Sequence, residues 1–76
     1  MVHAYVMMKT ATGASETIIE AARDLPEIVE VHIVAGDFDL IAEVEVEEVY
    51  DVLHAAASKL QGIDGIDETR TYIALE

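Results

Sequence analysis

The sequence predicts one α+β domain with the element order βαββαβ: a ferredoxin-like, four-stranded antiparallel sheet with two helices on one face, dimerising through the other. Three observations predict it. Residues 28–46 alternate apolar and polar around a single Gly36-Asp37 pair, the mark of a hairpin covered on one face. Two segments, 15–25 and 47–60, space their apolar residues helically instead. One strand-like run precedes this set and another follows it, and a strand, helix, hairpin, helix and strand most simply close as a split βαβ unit.

Taken in order, residues 2–10 are rich in Val, Tyr and Met and read as the first strand, with Ala11 to Ala14 as the turn. Ser15 is expected to be the N-cap of a helix over 15–25, with Glu16 at the positive end of its dipole. Ile18, Ala22 and Leu25 share one face, and Pro26 stops the helix. In the second strand, 28–35, Val29, Val31, Ile33 and Ala35 are expected to point inward. In the third, 38–46, Phe38, Leu40, Ala42, Val44 and Val46 do so. The second helix runs to Leu60, with Val49, Leu53, Ala56 and Leu60 on the buried side and Gly62 as a C-terminal stop. The last strand, 66–75, sets Thr69, Thr71, Ile73 and Leu75 on one face. Residues 1–76 thus read as a single domain.

Two helices on one face leave the other uncovered. The alternation places His3, Tyr5, Met7 and Lys9, then Glu30, His32 and Val34, then Asp39, Ile41, Glu43 and Glu45, and finally Arg70, Tyr72 and Ala74 on that open face. Tyr5, Met7, Val34, Ile41 and Tyr72 make it too apolar to leave in water, so these five are the expected dimer interface. Small size points the same way: 76 residues give a thin core, and no cysteine is present to staple it.

Sixteen Asp and Glu against four Lys and Arg give a formal net charge of −12. Such a surface repels phosphate backbones, which excludes direct nucleic-acid binding as the expected activity. It also fits a halophilic cytosol, where molar salt screens carboxylates from one another; an ordinary acidic domain is the alternative. The amino terminus is not patterned as a signal peptide and no stretch is long and apolar enough to cross a bilayer, so a cytoplasmic location is expected.

Groups that could carry chemistry are sparse. His3, His32 and His54 fall on two strands and a helix with no pair at ligand spacing inside one element, so no metal site is expected. No calcium loop, nucleophile motif or phosphate-cradling glycine loop occurs, and neither catalysis nor a cofactor is expected. One local feature stands out. Gly36-Asp37-Phe38-Asp39 exposes backbone amides at a turn, with two carboxylates flanking an aromatic; it reads as hairpin chemistry or as the rim of a site for a small ligand with an ammonium group.

The run VAGDFDLIAEVEV at 34–46, Leu25-Pro26-Glu27-Ile28, and LQGIDGIDETRTYIAL at 60–75 together resemble the ligand-binding domain of the Lrp/AsnC (leucine-responsive/asparagine) regulators. That family carries Gly-Asp-Tyr-Asp at this turn, where Phe38 here lacks the tyrosine hydroxyl, and Thr-x-Thr in the last strand, matched by Thr69 and Thr71. The resemblance implies sheet-to-sheet dimers, further assembly, and an amino acid or similar effector bound between dimers. Gly36, Asp37 and Asp39 are then the effector-site candidates, followed by Thr69 and Thr71. Because the sequence starts at the first strand, it resembles the form lacking a helix-turn-helix domain, acting on partners such as full-length regulators of the same family.

Two other classes remain open from the residues. A purely structural assembly module would use the turn only for hairpin geometry. A small dimeric ferredoxin-like enzyme would need a deep pocket beside His3, His32 or Tyr5. The ACT domain, an amino-acid sensor with the same strand order, is a near neighbour, from which the Gly-Asp-Phe-Asp turn and Thr-x-Thr strand distinguish this chain.

Overall fold

The computed structural model describes residues 1–75. Its elements are β1 (Val2–Thr10), α1 (Ser15–Arg23), β2 (Ile28–Ile33), β3 (Leu40–Val46), α2 (Val49–His54) continuing as a π-helical turn over Ala55–Leu60, and β4 (Ile66–Ile73). The strands form one sheet in the order β2-β3-β1-β4, every neighbouring pair antiparallel. This is the ferredoxin-like βαββαβ arrangement.

The pleat of β1 sorts its side chains. Ala4, Val6 and Met8 are fully buried, whereas Tyr5 and Lys9 are exposed. On β3, Leu40, Ala42 and Val44 join them, and Ile18 and Ala22 of α1 with Val52, Ala56 and Leu60 close the core from above. Burying an aliphatic side chain of this size contributes about 1.5–3 kcal/mol, so these residues carry most of the gain in so small a domain. Gly65 fixes where β4 enters. It has φ +99°, and a Cβ there would come within 3.1 Å of Ala14 Cβ and 3.2 Å of Ile18 Cδ1. Its carbonyl accepts from the Ala11 amide at 2.7 Å, tying β4 to the end of β1.

Several expectations give way. Helix α1 begins at Ser15 rather than after it: Ala14 occupies the cap position, and the Ser15 hydroxyl is engaged with Thr10 instead. On β2 only Val31 is buried; Val29 and Ile33 are 50% and 56% exposed and Ala35 is exposed. The register of β2 against β3 shifts between Ile28 and Glu30, which displaces Val29 from the alternation, whereas Ile33 keeps the inward register opposite Leu40 but lies at the end of an edge strand. Phe38 lies before β3, half-buried on the open side with the Lys9 ammonium 5.9 Å from its ring centre, rather than in the core. Leu75 falls past the end of β4 and is exposed.

Val49 and Leu53 are exposed as well, and Val52 is buried in their stead. The π turn explains the substitution. Its amide from Gln61 reaches the Ala56 carbonyl five residues back, so the turn holds about one residue more than an α turn. Upstream of it, the inward position moves by one, from Leu53 to Val52.

Candidate functional site

The loop joining β2 to β3 is anchored at both ends. The Val34 amide donates to the Asp39 carbonyl at 2.9 Å, and the Asp39 amide donates to the Met8 carbonyl at 2.9 Å. Asp39 Oδ2 in turn accepts from the Thr10 amide at 2.9 Å and from the Thr10 hydroxyl at 3.3 Å. Thr10 Oγ1 also lies 3.1 Å from Ser15 Oγ; having given its one proton to Asp39, it accepts from Ser15. The Asp39 carboxylate is thereby committed to the junction of β1, the loop and α1.

What the loop leaves exposed is Ala35, Gly36 and Asp37. They form one wall of a groove of about 650 Å³ on the open face, whose floor and other walls are Met7, Val34, Phe38, Ile41, Tyr72, Lys9, Glu68 and Arg70. Two of the chain's four Lys and Arg residues thus meet in one hollow, with the Glu68 carboxylate beside them and that of Asp37 on the loop wall. Register brings them together: Met7 pairs with Ile41 on one side and Arg70 on the other, and Lys9 pairs with Glu68. Arg70 Nε stands 3.5 Å from Glu68 Oε2, a loose exposed pair that leaves most of the guanidinium free for the groove.

Gly36 has an ordinary backbone φ, and a Cβ built on it meets nothing within 4 Å. Its smallness has no role in the fold; it keeps the groove wall low. Thr69 and Thr71 lie elsewhere. They pair with Met8 and Val6, so they share the helix-covered face, and the Thr69 hydroxyl accepts from Gln61 Nε2 at 2.7 Å. Within one chain, Gly36 and Asp37 share an end of the sheet with the threonines but not a face. Tyr5, Met7, Val34, Ile41 and Tyr72 all lie on the open face; Tyr5 and Tyr72, register partners, are exposed, and all but Tyr5 line the groove. Lys9, Glu68 and Arg70 were not recognisable as site residues in the sequence; only the pairing of β1 with β4 reveals them. Among the described residues, no helix is long and apolar enough to cross a membrane.

Comparison with known proteins agrees with this architecture. The family model of the Lrp/AsnC ligand binding domain matches residues 3–76. The leucine-responsive regulatory protein of Haemophilus influenzae is 34% identical over 56 residues, which is 74% of this chain and 34% of that protein. The chain therefore spans about a third of the length of that relative. The crystal structure of FFRP-DM1 superposes with a TM-score of 0.93 at 33% identity, covering 99% of this chain and 100% of that one. A transcriptional regulator of Neisseria meningitidis, crystallised as an L-Met complex, shares the fold with a TM-score of 0.89 at 16% identity, over 99% of this chain and 50% of that one. The chain belongs to the Lrp/AsnC ligand binding domain family, which is one of regulators rather than enzymes.

Proposed function

We propose that this domain binds an amino acid or a related zwitterionic metabolite in the groove beside Gly36, Asp37 and Phe38, and that binding changes how copies of the domain assemble. The observation that carries the reading is the charge layout of the groove: Lys9 and Arg70, with Glu68 beside them, face the Asp37 carboxylate of the loop across an apolar floor of Met7 and Ile41. A carboxylate and an ammonium on one small molecule would each find a partner there. The L-Met found with the Neisseria regulator fits the same ligand class.

In this reading Tyr5, Met7, Val34, Ile41 and Tyr72 pack against a second copy, sheet to sheet, which closes the groove. Thr69 and Thr71, on the other face, contribute through a neighbouring dimer. An effector that completes its site only in one assembly stabilises that assembly by linkage. Asp37 is the carboxylate available to the effector; Asp39 acts by holding the loop. With a net charge of −12, the domain influences transcription through partners, mixed assemblies with full-length regulators of its family in the cytoplasm, rather than by touching DNA itself.

The test is thermal unfolding of the purified protein in molar KCl against the amino acids, with mass by light scattering. Ligand at 100 times its Kd adds about 2.7 kcal/mol, and each kcal/mol moves the midpoint of so small a domain by roughly 4–8 °C. Shifts for a few amino acids with a change in mass are expected. No shift for any of them, at constant mass, would replace this reading with a purely structural assembly module, which the apolar open face alone would serve.

A further inference from the structure

We propose that His3, Glu43 and Glu45, at the end of the open face away from the groove, form a binding site for one divalent transition-metal ion of the Zn²⁺ class. Strand pairing builds the cluster: His3 is opposite Glu45 and Tyr5 opposite Glu43, so the imidazole of β1 stands between two carboxylates of β3. One ligand atom from each residue lies within 4.8 Å of the others.

The distances fit a metal better than a hydrogen bond. His3 Nε2 is 3.5 Å from Glu43 Oε1 and 3.5 Å from Glu45 Oε2. Two ligands each about 2.1 Å from a tetrahedral zinc stand roughly 3.4 Å apart. A charge-assisted N–H to carboxylate bond would instead close to about 2.7–2.9 Å. The nitrogen is also shut off from solvent with no hydrogen-bond partner, an orphaned polar atom aimed between two acceptors. The ring lies nearly parallel to Tyr5, 15° between planes at 6.1 Å, which limits its orientation.

Charge and donor type narrow the ion. Two carboxylates this close repel, and one divalent cation neutralises both. An imidazole with two carboxylate oxygens suits zinc, whereas calcium seeks six to eight oxygens. Three protein ligands leave a fourth position for water. Zinc here would also discharge two of the acidic groups on the open face, at a site that shares no residue with the groove.

Isothermal titration of the whole chain with ZnCl₂ in chelator-free buffer and molar KCl tests this. One Zn²⁺ per chain is expected, with affinity falling tenfold or more in His3→Gln and in Glu45→Gln, since losing a ligand should cost no less than the roughly 10–100-fold of losing an outer-shell partner. His32→Gln is the control, because His32 and Glu30 form an exposed pair at 3.6 Å. Co²⁺ added to the unaltered chain should give the intense visible absorption of a four-coordinate ion, a readout that survives even if a variant fails to fold. No saturable Zn²⁺ binding, binding undiminished in a folded His3→Gln chain, a weak six-coordinate Co²⁺ spectrum, or displacement by millimolar Mg²⁺ would each overturn the site.

Discussion

The carboxylate of Asp39 and the backbone amide of Thr10, 29 residues apart in sequence, meet at 2.9 Å and lock the groove loop to the end of β1. Hydrogen bonds to a charged group contribute roughly 1.5–3 kcal/mol. Asp39→Ala should therefore lower stability by about 2 kcal/mol, read as a reduced urea midpoint at unchanged slope. Asp37→Ala, at an exposed position, should leave the midpoint within about 0.5 kcal/mol while weakening the response to effector. Equal destabilisation by the two would contradict the division of labour between these aspartates.

Gly36 supplies a second separation of fold from function. Its φ suits any residue and its Cβ direction is open, so Gly36→Val should fold with stability changed by no more than about 0.5 kcal/mol. The added side chain raises the groove wall. The thermal shift produced by an amino acid that stabilises the parent should shrink or vanish, and a full shift would move the binding site elsewhere.

Glu27 and Lys59 join the entry of β2 to the end of the π turn. The hydrogen bond from the Lys59 ammonium holds the Glu27 carboxyl below the usual glutamate range, against a smaller opposing effect of burial. Because the folded pKa is depressed, this stabilisation is fully present above the unfolded glutamate value and is lost as pH falls through the folded one. Lys59→Met should cost about 1 kcal/mol or less at neutral pH, in the range of partly exposed pairs. The difference from the parent should begin to shrink in denaturation curves as the pH drops below the unfolded glutamate value of about 4.3, and disappear once the pH is below the folded one.

The surplus of carboxylates makes salt a stability variable. At 1 M the Debye length is about 3 Å, short enough to screen most neighbouring side chains from one another. The unfolding midpoint should rise by several degrees from 0.1 M to 2 M KCl. A flat or falling midpoint would remove the halophilic reading of the composition.

Periodicity made the scaffold legible. The limits of β1 and the inward face of Ile18 and Ala22 follow directly from residue spacing. Where one residue of irregularity enters, spacing misleads. The register shift at Ile28–Glu30 displaced Val29, and the π turn exchanged Leu53 for Val52. Phe38 looked like core because it is large and apolar, yet a loop and a cation on β1 determine its place. The site was legible only where its residues are contiguous: Gly36 and Asp37 stand out as a turn. Lys9 and Arg70, like His3 with Glu43 and Glu45, could be assigned to the open face, but they become neighbours only once the antiparallel register is known.

The π turn over Ala55–Leu60 amounts to one surplus residue wound into the helix instead of carried in a loop. With exposed Ala57 deleted, an ordinary α-helix would reach the same Leu60 anchor with Val52 still inward; with every residue kept and the turn made regular, Leu53 would take the place of Val52. Chain length and core identity are therefore exchangeable here. A homologue with a regular helix matches this chain position for position in space only if a one-residue gap is opened inside that helix, where no loop marks it.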